Sequence, residues 1–144
     1  MIIFNFYLYI NKNRIQYLKM SVSNQKMFFE YFLGLLGQIK VFHWTTMSYS
    51  NHKALDDLHK NLSELVDEFI EVYMGKFNKQ PSELFTITMN ATSDPSDIIS
   101  YLEEQREIIR NIRTKHFKST SEIQNIIDSM MSSINNTIYL CRLS

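Results

Sequence analysis

The sequence predicts an all-α chain, a four-helix bundle with a long connection between its second and third helices. Three observations lead there. Apolar residues recur at helical spacing in four separate stretches. Three glycines and two prolines in 144 residues leave few breaks, and eight methionines with many Leu and Ile favour helix over sheet. At this length a single domain with a real core is expected. Residues 21–144 make that domain, and residues 1–20 read as an N-terminal appendage, because regular amphipathic helix begins only after Met20, itself a natural start.

Across residues 24–43, Phe28, Phe32, Leu35, Ile39 and Phe42 make one helical stripe, widened by Phe29 and Leu36, with Ser23 or Asn24 as cap. The hydroxyl-rich stretch 45–50 is a short connection, and Ser50 or Asn51 is expected to cap the second and longest helix. That helix runs to about Lys76, with Leu55, Leu58, Leu62, Leu65, Phe69 and Tyr73 on its core side and Gly75 near its end. Residues 78–93 hold Pro81 and a β-flavoured FTITM, a connection long enough to cross a bundle. Asp94 then caps, and Pro95 opens, a third helix whose buried side is Ile98, Leu102, Ile109, Ile112 and Phe117. Ser119 and Glu122 have the spacing of a capping box for a fourth, whose stripe is Ile123, Ile126, Ile127, Met130, Ile134, Ile138 and Cys141. Short first and third joints imply antiparallel neighbours; the long middle joint implies a crossover.

Lysine plus arginine equals aspartate plus glutamate at 15 each, so the chain offers no overall field for nucleic acid or an anionic membrane. Lys12, Arg14 and Lys19 form a thin basic tail, weak support for nucleic-acid binding. The opening MIIFNFYLYI is interrupted by Asn5, lacks preceding positive charge and is too short to span a bilayer, so no membrane attachment is expected. A single cysteine, Cys141, excludes an internal disulfide and suits a reducing compartment, the cytoplasm.

The chemistry lies on the second helix. At about 100° per residue, His52, Asp56, His59, Ser63, Asp67 and Glu71 share one sector beside the apolar face, whereas Asp57, Glu64 and Glu68 point elsewhere. Bordering the core, the stripe is a candidate for partial burial, and partly buried carboxylates need partners. His52 and Asp56 are one turn apart, as are Asp67 and Glu71, yet the two pairs are separated by about 16 Å along the axis. No single ion touches both pairs of one helix. Two copies packed antiparallel about a two-fold axis near Leu62 and Ser63 set His52 and Asp56 of one chain against Asp67 and Glu71 of the other, which makes two equivalent sites. Imidazole with several carboxylates suits iron, manganese or zinc. His43, beside Trp44 at the close of the first helix, is a further ligand candidate from the same chain as His52. His59 and His116 read as structural histidines. The other methionines read as core filler.

The pattern H-W-x(7)-H-x(3)-D-x(10)-D-x(3)-E, from His43 to Glu71, resembles the ferroxidase signature of Dps-type mini-ferritins. The second, third and fourth spacings match; the loop between His43 and His52 is shorter than is typical and lacks the usual glycine. The stretches SYSNHKALDDL and VDEFIEVYMGKF also resemble a shorter ferritin-like family from phages and large DNA viruses, which the Asn-, Ile- and Lys-rich composition fits. The resemblance implies a ferritin-like fold and an intersubunit metal site, with His43, His52 and Asp56 from one subunit and Asp67 and Glu71 from its partner. It implies iron, as a di-iron or mononuclear site, oxidation of Fe(II) with storage of the product, and Trp44 as a quencher of stray oxidants. It further implies a homo-oligomer, a dimer through the second helix or a dodecamer, in host cytoplasm or virion. Two other readings stay open: a non-catalytic interaction protein whose carboxylates make a salt-bridge network with Lys53 or Lys60, and a DNA-protecting protein.

Overall fold

The structure, a computed structural model, describes residues 25–78, 80 and 86–143. The appendage, its basic tail and the cap expected at Ser23 or Asn24 lie outside them. Four helices follow in order: α1 (Gln25–Thr45), α2 (Tyr49–Phe77), α3 (Pro95–His116) and α4 (Ser121–Arg142). No strand occurs among the described residues, and residues 86–89, the end of the FTITM segment, carry no regular secondary structure.

The apolar stripes pack where periodicity places them. Phe28, Phe32, Leu35 and Ile39 of α1, Leu55, Leu58, Leu62 and Phe69 of α2, Ile98, Leu102 and Ile109 of α3, and Ile123, Ile127, Met130 and Ile134 of α4 form one continuous core. Leu36 and Leu65 are only partly buried at its margin. One end of the core is aromatic: the Phe28 ring meets Phe69, Tyr73, His116 and Phe117 at centroid distances of 5.3 to 6.0 Å, largely edge to face. Not every methionine is filler, since Met47 and Met89 are exposed.

Direction follows from paired ends. Phe28 lies against His116 while Phe42 lies against Tyr101, so α1 and α3 are antiparallel. Lys76 of α2 pairs with Glu122 at the start of α4, so these two are antiparallel as well. Arg113 grips Asp128 with two bonds of 2.7 and 2.9 Å, and Arg142 pairs with Glu103, which sets α4 back along α3. The order is therefore up, down, down, up, and the joint between α2 and α3 has to travel the length of the bundle.

Its described part from Thr86 to Thr92 runs along α1. The Thr86 N–H donates to Glu30 Oε1 at 3.1 Å, Gln38 exchanges bonds of 2.6 and 2.8 Å with the Asn90 backbone, and Thr45 Oγ1 donates to Thr92 O at 2.6 Å. Gly34 and Gly37 open room for it: a Cβ at Gly37 would sit 2.5 Å from Met89 Sδ, whereas one at Gly34 would be 3.6 Å from Ile87.

Two caps differ from expectation. Ser48, not Ser50 or Asn51, caps α2, accepting from the Asn51 N–H; Ser50 Oγ is tied to Ser48 Oγ at 2.9 Å, and Asn51 is buried in the first turn. The capping box at Ser119 does not form. Thr120 is the N-cap of α4 and sends its hydroxyl back to Phe117 O, which also receives Gln124 Nε2. Asp94 and Pro95 behave as expected, with Asp94 Oδ1 accepting from the Ser96 N–H at 2.8 Å. Asn78, in the left-handed region at φ 50°, closes α2.

Candidate metal half-site on the second helix

The tight turn between α1 and α2 sets the last turn of one helix against the first of the other. It brings His43 and His52 face to face. Their rings stack at 3.9 Å with an interplanar angle of 27°. Each ring Nδ1 meets the other residue's backbone carbonyl, His43 Nδ1 at 2.9 Å from His52 O and His52 Nδ1 at 2.8 Å from His43 O. A carbonyl only accepts, so both Nδ1 atoms carry protons. In the neutral rings Nε2 then holds the lone pair, and the ring position is fixed by a backbone contact of the sort that orients metal-binding histidines.

Asp56 lies one helical turn beyond His52 and completes this corner. Its Oδ1 is 3.9 Å from His43 Nε2. Two lysines hold it: Lys60 Nζ at 2.7 Å from Oδ2, one turn along α2, and Lys40 Nζ at 3.3 Å from Oδ1, reaching across from α1. The bond from Lys60, assisted by Lys40 against some desolvation, brings the Asp56 carboxyl down to about 2. In return the Asp56 carboxylate raises the Lys60 ammonium above its ordinary value. His59, half-buried next along the stripe, is held below the usual imidazole range by burial and then by the charge of Lys40.

The far half of the stripe is different. Asp67 and Glu71 are exposed, and the structure gives neither a hydrogen bond nor an ion pair among the described residues. The partial burial expected of the whole stripe therefore holds for His52, Asp56, His59 and Ser63 only. Leu62, expected beside a two-fold axis, is fully buried in its own chain's core, so Ser63 alone faces outward there. Trp44 follows His43 but is 69 % exposed at the end of the bundle. His116 packs edge-on to Phe28 at 5.5 Å, a structural role. Lys53 makes no ion pair among the described residues, and Lys60 is engaged within its own chain.

Of the predicted ligands, the turn stacks His43 on His52 and sets Asp56 Oδ1 3.9 Å from His43 Nε2, and leaves Asp67 and Glu71 apart. Among the described residues no group of three or more His, Cys, Asp or Glu side chains is placed to hold a metal ion. Lys40 is the residue that sequence reasoning missed. Its signal was its place three residues before His43, on the same face of α1. No helix among the described residues is long and apolar enough to cross a membrane.

Comparison with known proteins gives two matches. The profile of a family of unknown function, DUF5856, matches residues 43–141, a span that opens on His43 and takes in the whole stripe. An uncharacterised 14.6 kDa protein from the mobD-ri intergenic region of Enterobacteria phage T4 is 27 % identical over 116 residues, covering 78 % of this chain and 86 % of the relative. No solved structure matches the chain.

Proposed function

The chain belongs to DUF5856, a family of unknown function, and we propose that it acts as a Dps-like mini-ferritin, oxidising Fe(II) at a site shared between two copies and sequestering the ferric product. The observation that carries this reading is the reciprocal lock of His43 and His52. It spends both Nδ1 atoms on backbone carbonyls and leaves both Nε2 lone pairs free, that of His43 3.9 Å from the Asp56 carboxylate, donors suited to Fe(II). The up-down-down-up order with its long crossover is the arrangement of ferritin-like bundles and agrees with the reading.

The missing half comes from a second copy. An antiparallel pair of α2 helices brings the exposed Asp67 and Glu71 of one chain to His52 and Asp56 of the other, supplying two more oxygen ligands. Asp56, Asp67 and Glu71 would supply carboxylate oxygens to the iron, and His43 and His52 would supply imidazole nitrogens. With peroxide as oxidant, two Fe(II) each give up one electron, and hydrogen peroxide takes both with two protons to leave two waters. The carboxylates stabilise the Fe(III) that forms, since hard cations favour anionic oxygen.

Fe(II) titration followed optically in air and again with added hydrogen peroxide, on protein sized by gel filtration, tests the reading. Fast oxidation should saturate at a fixed iron count per dimer and vanish in Asp67→Asn. A rate no faster than buffer in the wild type would overturn it. One observation favours a second reading, an interaction protein without metal: Asp56 is already satisfied by Lys40 and Lys60. That reading expects dimers that neither bind nor oxidise iron.

A further inference from the structure

The two lysines on Asp56 bear on the metal reading as well as on its rival. We propose that Lys40 and Lys60 are resident counter-ions of the half-site, so that a metal enters by cation exchange, and that this exchange excludes cations with no affinity for imidazole. The inference rests on the metal-binding reading above and adds to it what governs entry.

Both oxygens of Asp56 are taken, Oδ2 by Lys60 at 2.7 Å and Oδ1 by Lys40 at 3.3 Å. The Oδ1 held by Lys40 is also the one 3.9 Å from His43 Nε2. An ion bridging His43 and Asp56 therefore has to share Oδ1 with an ammonium or displace it. Like charges at such separations repel, and the Asp56 side chain is only 19 % exposed, so water screens the repulsion incompletely.

The two lysines differ in how readily they leave. Lys60 is 64 % exposed, and Asp57 and the exposed Glu64 lie within a turn of it as alternative partners. Lys40, 30 % exposed, reaches across from α1. Displacement of both costs the incoming ion two ion pairs, and an ion recovers that only by binding the two imidazoles. Fe(II), Co(II) and Zn(II) do so. Mg(II) and Ca(II) prefer oxygen and gain little from Nε2. Lys40 and Lys60 are positioning residues here, acting through Asp56.

The test is metal binding by the full chain, read without any turnover. Co(II) is titrated anaerobically and followed by its visible absorption, and Mg(II) by calorimetry, for the wild type, Lys40→Gln/Lys60→Gln and Lys60→Arg. The double variant should bind Co(II) about tenfold tighter, the scale of two partly exposed ion pairs, and should acquire Mg(II) binding that the wild type lacks. Lys60→Arg should stay like the wild type, because the charge remains. A gain in affinity is not what a merely damaged fold produces, and circular dichroism confirms helix content. Should the double variant fail to fold, Lys60→Gln alone, at the exposed position, carries the same expectation with a smaller gain. Equal Co(II) affinity in wild type and variant overturns the inference while the metal reading stands. Absence of Co(II) binding in both overturns the reading and the inference together. Binding by the variant alone supports the lysine barrier and removes Fe(II) oxidation from the wild type.

Discussion

Replacing His52 by phenylalanine separates the two components of the histidine lock. The ring stack at 3.9 Å survives in His52→Phe, and so does the bond from His43 Nδ1, because its acceptor is the backbone carbonyl of residue 52. What goes is the bond from His52 Nδ1 to His43 O, 2.8 Å long, in a corner where His43 is buried. A hydrogen bond of this kind contributes about 1 kcal/mol net, and a carbonyl left dry costs about 1 to 3 kcal/mol. The expected loss is therefore about 1 to 3 kcal/mol, or several degrees in Tm for a chain of this size. His52→Ala loses the stack as well, about 1 kcal/mol more. Urea unfolding, with m unchanged across the series, is the assay. Nitrogen NMR of the wild type should also find the neutral rings protonated at Nδ1. If His52→Phe stays within about 0.5 kcal/mol of the wild type, the range of an ordinary surface change, or if Nε2 carries the proton, the lock is not what holds this corner.

Other perturbations follow from the same geometry. The Asp56 carboxyl, held at about 2 by Lys60 and Lys40 and starting from 3.8, contributes stability that is complete above its unfolded value and fades as pH falls through the folded one; acid unfolding between pH 5 and pH 2 should therefore be less steep in Asp56→Asn. Gly34→Ala, with 3.6 Å of room, should stabilise by about 0.5 to 1 kcal/mol through helix propensity. In Gly37→Ala the same gain should be offset by displacement of Met89, leaving thermal stability nearly unchanged. Ser63→Cys, beside the proposed two-fold axis, should cross-link pairs of chains under mild oxidation with Cys141 buried and silent. A monomer by light scattering that gives no cross-link would refute the α2 pairing.

Much of the fold was legible because helical periodicity and burial are the same fact seen twice. Each stripe from Phe28 to Ile138 lies inward where its spacing predicts. The direction of the chain was legible from joint lengths alone. Caps were less so: Ser48, Ser50 and Asn51 are all competent, and only the turn geometry makes Ser48 the acceptor. Phe117 O likewise draws Thr120 and Gln124 away from the box that Ser119 and Glu122 spell. At the site, His52 and Asp56 are one turn apart and readable on one helix. Lys40 reaches Asp56 from another helix, a relation no single-helix projection contains. The glycines were an unread signal: two in the middle of α1, at a helix-propensity cost of about 1 kcal/mol each, mark a close approach by some other segment.

That approach bears on where a second copy can dock. An up-down-down-up bundle has to lay its crossover over one helix, and the bonds of Gln38 and Thr45 to Asn90 and Thr92 lay it over α1. The flank of α1 that carries Gln38 and Thr45 is thereby occupied by its own chain. On α2 no such strap intervenes among the described residues, and its outward stripe keeps two unpaired carboxylates at one end and a locked pair of imidazoles at the other. On the proposed reading an antiparallel partner is the arrangement that would bring Asp67 and Glu71 of one chain to His43, His52 and Asp56 of the other. A parallel partner would set carboxylate against carboxylate. On the proposed metal-binding reading, the asymmetry of the stripe thus favours the two-fold geometry for the same reason that a single chain would hold only part of the site.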